Sequence, residues 1–393
     1  MRSLVLLAAF GGLATAGERA GKVIRIDQPV SREVFVPAGA FWMGLSDDDE
    51  INFVKSQCDE FFEFPDQFLG SRQARLCDEY REELEHMRQR AVFLNAFAID
   101  RYEVTVREYR ACVTAGVCNL DPIIAADERY IRDEWPLVNV TWFEAQQYCR
   151  WRGARLPTEA EWERAARGAD VTNEPDEASK YRAQDQVWPW CYALDWHKSS
   201  SDPKKDKART TASCVERTKD FNHGQPRSQA MRDINRSNNA FHLLGDPDDV
   251  DGFALIAPPG QYSWGEGPYG TRDQAGNAAE WTADARGVPT NPFIGYDDLP
   301  GCTRRDSGMT CINPHRDGGD HDLRVVRGGS WRQPSFVARS NLRDPFGFMY
   351  EPRRRFTHVG FRCARSVTET MQAPVPPSSR EGSSKPEPKG TKR

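Results

Sequence analysis

Apolar residues recur at helical spacing in three places along this chain, and each recurrence follows the same polar signature. Thr105-Val-Arg-Glu108, Thr141-Trp-Phe-Glu144 and Thr158-Glu-Ala-Glu161 carry the Thr and Glu spacing of a capping box. In that device the Thr hydroxyl accepts from an orphan first-turn amide, while the Glu carboxylate reaches back to the amide of the cap. Gly116, Gly153 and Gly168 follow, each where a helix would close. The inward faces predicted from the spacing are Tyr109, Cys112 and Val113 on the first helix. On the second they are Trp142, Ala145, Tyr148 and Cys149, and on the third Trp162, Ala165 and Ala166.

Short strand-like runs occupy other stretches: Glu33–Pro37, Phe41–Gly44, Phe93–Ile99, Arg324–Arg327 and Val359–Ala364. Between them lie segments punctuated by Gly, Pro, Trp and Asn. Leu45–Ala91 is strongly charged and reads as a helical pair stapled by Cys58 and Cys77. There is no repeat, no long amphipathic pattern and no βαβ alternation. The pattern predicts one α+β domain with little regular structure, its core built on eleven tryptophans.

The ends change the picture. Met1-Arg2-Ser3, an apolar run from Leu4 to Leu13 and the small-residue stretch Ala14-Thr15-Ala16 read as a secretory signal peptide spanning residues 1–16. Residues 367–393 are rich in Pro, Ser and Lys and lack aromatics, which predicts a disordered tail. No later segment is apolar enough for a transmembrane helix. An exported chain, periplasmic or extracellular, is expected.

Ten cysteines in such a chain read as disulfides. Neighbours along the sequence suggest Cys58–Cys77, Cys112–Cys118, Cys191–Cys214 and Cys302–Cys311, with Cys149 and Cys363 the other two. No C-x-x-C pair occurs, which argues against thiol exchange and zinc fingers. The net charge of −5, with acids and bases interspersed, argues against a nucleic-acid partner.

Six stretches then stand in one order: Phe35–Gly44 (FVPAGAFWMG), Ala98–Thr105 (AIDRYEVT), Pro136–Trp142 (PLVNVTW), Arg155–Arg167 (RLPTEAEWERAAR), Asp273–Asp284 (DQAGNAAEWTAD) and Arg324–Ser366, which opens RVVRGGSW and closes GFRCARS. Together they resemble the formylglycine-generating enzyme (sulfatase-modifying factor) family. The resemblance implies that family's fold, a distant relative of the C-type lectin architecture, over residues 30–366, with insertions at 45–91, 170–261 and 286–322. It also implies a bridge between Cys149 and Cys363.

Family ligand positions carried over imply structural calcium at Asp273, Gly276, Ala278 and Glu280, the middle two through carbonyls. Hard oxygen donors of that kind suit calcium. A second calcium position implied by the family falls on Asn238 or Asn239 with Asp251 and Phe253. The catalytic pair is different. Catalytic members carry two cysteines shortly after the GGS and bind copper with these soft thiolates. Trp331–Arg362 contains no cysteine; the first position holds Gln333 and the second has no counterpart. Copper is therefore not expected, and formylglycine formation by the known route is not expected either.

Ser330, without an adjacent base, reads as a turn residue. Ser330, Trp331, Gln333, Arg339 and Arg343, with neighbouring aromatics, are the candidate groove for an unidentified peptide, protein or glycan ligand. His315, His321 and Asp322 read as an exposed polar loop. The reading is an exported, calcium-stabilised binding or structural protein without catalytic residues. The alternative is an extracytoplasmic oxidoreductase of the same family that matures another substrate.

Overall fold

The computed structural model describes residues 32–61, 73–126, 128–168, 253, 255–262, 265–287, 299–305, 308–333 and 335–367. Cys191, Cys214, Asn238, Asp251, the leader and the tail lie outside these residues. So does nearly all of the 170–261 insertion.

Among the described residues, ten strands form three sheets. β1 (Glu33–Val36), β4 (Phe97–Asp100) and β10 (Ala364–Ser366) make the first, with β4 central and both neighbours antiparallel to it. The second runs β2 (Gly39–Met43), β3 (Arg90–Leu94), β7 (Gly308–Ile312), β6 (Cys302–Arg305). In the third, β5 (Ala279–Gly287) lies between β8 (Leu323–Arg327), antiparallel, and the short β9 (Val359–Gly360), parallel.

The predicted single run Phe93–Ile99 is a correction. It breaks after Leu94 into β3 and β4, which join different sheets. Asn95 and Ala96 make the crossing, and Asn95 N donates to Asn313 Oδ1 at 2.8 Å rather than to a ladder.

Helices α1 (Asp48–Phe61) and α2 (Gln73–His86) form the pair expected in the 45–91 insertion. All three capping boxes are present, on α3 (Val106–Thr114), α5 (Trp142–Trp151) and α6 (Glu159–Arg167). A short α4 (Asp121–Ile124) follows α3. Gly116, Gly153 and Gly168 carry positive φ of 72°, 70° and 89°. Every inward residue expected on the three capped helices is buried except Val113, which is partly so.

Four of the expected disulfides are formed: Cys58–Cys77, Cys112–Cys118, Cys149–Cys363 and Cys302–Cys311. Cys149–Cys363 closes a sequence separation of 214, a constraint on the unfolded chain worth roughly 2–5 kcal/mol. The expected Cys191–Cys214 lies outside the described residues. Cys302–Cys311 joins the two strands of the β6–β7 hairpin, which the sequence pattern did not reveal.

Helix α6 is unusual in that all nine residues are buried although five of them are charged. Burial of that kind is tolerable only when each charge finds a partner. Glu161 and Arg167 find partners close by, in Arg155 and Glu163, while Glu159 and Glu163 take arginines from distant parts of the chain, and these define the site.

Candidate functional site

β8 ends in a sharp turn. Gly328 and Gly329 carry φ of 92° and 64°, and a Cβ on Gly329 would lie 2.8 Å from the Ala338 backbone. Both the conformation and the space call for glycine there. The turn docks on the Asp273–Glu280 loop. Gly276 N donates to Gly328 O at 2.7 Å, and Trp331 N donates to Asn277 O at 2.9 Å. Two stretches far apart in sequence thereby become one site.

Ser330 Oγ donates to Gln333 Oε1 at 2.8 Å. Gln333 Nε2 in turn donates to Asp344 Oδ2 at 2.5 Å, and Tyr350 Oη donates to the same oxygen at 2.5 Å. Phe346 N occupies Asp344 Oδ1 at 2.8 Å. Burial raises the Asp344 carboxyl above its ordinary range, although these donors oppose it. His358 Nε2 lies 3.3 Å from Tyr350 Oη, and burial pushes the imidazole down to about 3, so it is neutral. Among the described residues the Ser330 hydroxyl has Gln333 and no base beside it, so it is not an activated nucleophile.

Beneath this cluster runs a buried chain of alternating charges. Arg286 pairs with Glu83, and Glu83 Oε1 also meets Arg343 Nη1 at 3.3 Å. Arg343 Nη2 reaches Glu159 Oε2 at 2.6 Å, and Arg327 Nε reaches Glu159 Oε1 at 3.1 Å. Arg327 then pairs with Glu163, whose Oε1 holds Arg167 Nη1 at 2.7 Å. Alternation lets each charge see opposite neighbours on both sides, which offsets the desolvation of the whole row.

These contacts correct the expected groove. Ser330, Trp331, Gln333 and Arg343 are 1%, 3%, 0% and 1% exposed, so their side chains face the interior. Arg339 is also buried, and its Nη2 donates to Glu50 Oε1 at 2.5 Å. Glu50 and Glu83 both belong to the α1–α2 insertion, and Tyr80 of α2 donates its hydroxyl to Arg343 O at 2.7 Å. The arginines that were expected to face a ligand are thus taken up inside the domain, Arg339 by the insertion and Arg343 by Glu159 of α6 together with the insertion.

In the Asp273–Glu280 loop, Asp273, Gly276 and Asn277 all have positive φ, the mark of a tight turn. Glu280 is held by Arg362 through Nη2 at 2.7 Å and Nε at 2.7 Å, with Trp162 Nε1 at 2.8 Å. Asp273 Oδ2 accepts from Gly260 N. Glu103 accepts from Ala278 N and Asn277 Nδ2, both at 2.8 Å. Burial and the neighbouring acids drive Glu103 well above the usual carboxylate range. Burial, with Glu280 adding to it, raises Asp273 to about 6.

Three buried carboxylates within one another's field thus outnumber the cations that act on them, Arg362 and Arg272. That deficit, with carboxylate and carbonyl oxygens as donors, fits a hard divalent cation. No group of three or more His, Cys, Asp or Glu among the described residues is arranged to hold a metal ion. The expected set is different in kind, using two carboxylates and two backbone carbonyls. Of the second set, only Phe253 is described, packed edge to face on Tyr262 at 6.4 Å.

His315 is not the free loop residue expected. It lies 3.2 Å from the buried Asp284 and 3.0 Å from Asp317, and Asp284 also accepts from Glu159 N at 2.7 Å. Sequence reading also missed Asp344, Glu103 and Glu83. Glu83 had a signal: it falls on the stripe Leu76, Tyr80, Leu84, where an acid in an apolar row calls for a buried partner.

The model of the sulfatase-modifying factor enzyme 1-like domain matches residues 21–367. The chain belongs to that family. The relatives of this sulfatase-modifying factor-like domain differ in activity. An inactive C-alpha-formylglycine-generating enzyme 2 from Bos taurus is 26% identical over 59% of this chain and 50% of its own length. A hercynine oxygenase from Mycolicibacterium thermoresistibile is 30% identical over 61% of this chain and 38% of its own length. A formylglycine-generating enzyme from Thermomonospora curvata is 25% identical over 70% of this chain and 84% of its own. This chain therefore spans half or less of the first two proteins. Among solved structures, PvdO from Pseudomonas aeruginosa aligns with a TM-score of 0.48 at 22% identity, over 85% of this chain and 94% of that one.

Proposed function

We propose that this family member is an exported, calcium-stabilised binding or structural protein that does not make formylglycine. One observation carries the reading. Gln333 occupies the first position where catalytic relatives place a copper thiolate, and its amide is spent on Ser330 and Asp344 inside the core. An amide is a poor ligand for copper(I), and no cysteine lies between Trp331 and Arg362 to supply a softer one.

The calcium part rests on the charge deficit of the Asp273–Glu280 loop. Asp273 and Glu280 with the carbonyls of Gly276 and Ala278 would hold the ion, which supplies positive charge and ties the loop together. Export rests on the leader-like residues 1–16 and on the disulfides, which persist in oxidising compartments. Among the described residues no helix is long and apolar enough to cross a membrane.

Similarity to the hercynine oxygenases supports a second reading, an extracytoplasmic oxidoreductase acting on another substrate. Elemental analysis of the purified mature chain separates the two. Calcium without copper or iron is expected; a stoichiometric redox metal would favour the oxidoreductase.

A further inference from the structure

One buried acid fastens segment 315–322 to the rest of the domain. Asp284 of β5 has a side chain only 3% exposed. Its Oδ2 accepts from Glu159 N, in the first turn of α6, at 2.7 Å, and its Oδ1 accepts from Arg316 N at 2.8 Å. Ala285 N adds a bond to Arg316 O at 2.9 Å. The cation that touches Asp284 is not an arginine. It is His315, whose Nδ1 lies 3.2 Å from Asp284 Oδ1.

The other ring nitrogen faces a second carboxylate. His315 Nε2 lies 3.0 Å from Asp317 Oδ1, and the Asp317 side chain is fully exposed. A neutral imidazole has one N–H, and its other nitrogen carries a lone pair. In either neutral tautomer a lone pair would therefore press on a carboxylate oxygen. Only the imidazolium offers a proton to both acids. Asp284 first, and Asp317 with it, hold the ring above its ordinary 6.5, although burial opposes them.

The other charges nearby are engaged elsewhere. Asp320 pairs with Arg353, and Asp322 accepts from Gly319 N. Arg324 of β8 donates to Gly318 O and Gly319 O and stacks 3.9 Å over the Trp142 ring, while feeling Asp284 and Asp317 from farther off. Arg155 also feels Asp284 but is paired with Glu161, and Glu159 turns its carboxylate to Arg343 and Arg327.

We propose that His315 is a proton-operated latch on this loop. Protonated, it ties Asp317 to the buried Asp284; deprotonated, it lets Asp317 go. Asp317 is the partner released, because water solvates it, whereas Asp284 is buried and held by two amides. The loop so fastened supplies the carbonyls that hold Arg324, so the state of the latch reaches β8. A folded value above the unfolded one means that the fastening is complete below about pH 6.5 and is lost as pH rises through the folded value.

The test follows the ring and the loop together in the full mature chain. Nitrogen-15 spectra of the histidine side chains, with His315 assigned by its loss in His315→Gln, should show both ring nitrogens protonated at pH 6 and a midpoint above 6.5. In Asp317→Asn that midpoint should move down toward 6.5. Amide exchange of residues 316–322 by mass spectrometry, corrected for the intrinsic dependence on pH, should speed up in the wild type as pH passes the midpoint. In His315→Gln the corrected exchange should be fast and indifferent to pH, and in His321→Gln, at an exposed neighbour, it should match the wild type. Melting curves check folding, and Asp317→Asn decides the matter where His315→Gln does not fold. A His315 midpoint at or below 6.5, a midpoint unmoved in Asp317→Asn, or loop exchange with the same pH dependence in His315→Gln would each overturn the latch.

Discussion

Gln333 Nε2 donates to Asp344 Oδ2 at 2.5 Å, and that bond ties the GGSW turn to the segment eleven residues on. Gln333 also accepts from Ser330, so it is the middle of a satisfied chain. Replacing Gln333 with Cys supplies one thiolate where copper(I) in relatives has two, and it strands the Ser330 hydroxyl and part of Asp344. The expected result is a loss of about 1–3 kcal/mol in urea unfolding with no gain of stoichiometric copper. Unchanged stability together with tight copper binding would show that the position is not structural.

Glu83 sits between Arg286 and Arg343, and all three are at most 1% exposed. Glu83→Ala leaves two buried guanidinium groups short of a partner. A destabilisation of about 3–5 kcal/mol is expected, measured by denaturant unfolding. A change below about 1 kcal/mol would mean that the α1–α2 insertion is not fastened to the domain through this acid.

How much of this was legible in the sequence follows the range of the interactions. The capping boxes at Thr105, Thr141 and Thr158 are local, with donor and acceptor three residues apart, and the structure has all three. Alternation could not locate the break at Asn95 and Ala96, because the two strands continue one hydrophobic run and differ only in partner. The arginines were visible, but their orientation was not. Arg339 is decided by Glu50, 289 residues away on the insertion, and Arg343 by Glu159 of α6, 184 residues away, with Glu83 of the insertion beside it, and no local pattern encodes any of these placements. Helix α6 taught the same lesson: five charges in nine residues look like a surface, and the structure buries every one.

Calcium should stabilise the protein in a pH-dependent way. Burial raises Asp273 to about 6, above its unfolded value, so the metal-free fold is favoured below that range and penalised as pH rises through 6. Calcium needs the ionised carboxylate, so protons compete with it below about pH 6. At about a hundred times the Kd the melting temperature should rise roughly 5 °C at pH 7.5, with a smaller rise at pH 5. Asp273→Asn should abolish most of the effect. An equal rise at both pH values, or in the variant, would contradict the assignment.

His358 gives the opposite slope. Its folded value of about 3 lies below the unfolded one, so the unfolded chain binds more protons between the two. Stability attributable to His358 is intact above about pH 6.5 and is lost progressively as pH falls toward 3, by at most about 1.4 kcal/mol per unit. Unfolding of wild type and His358→Gln across pH 4 to 7 should show the variant with the shallower dependence on pH. Parallel profiles would contradict a neutral buried imidazole.

Whether this domain makes formylglycine is decided most directly by incubating the purified mature chain, with copper and oxygen, with a C-x-P-x-R peptide and following the cysteine by mass spectrometry. With Gln333 built into the core and no cysteine between Trp331 and Arg362, the cysteine should remain unconverted while a catalytic relative run alongside yields the aldehyde. Catalytic formation of the aldehyde by this chain would contradict the account.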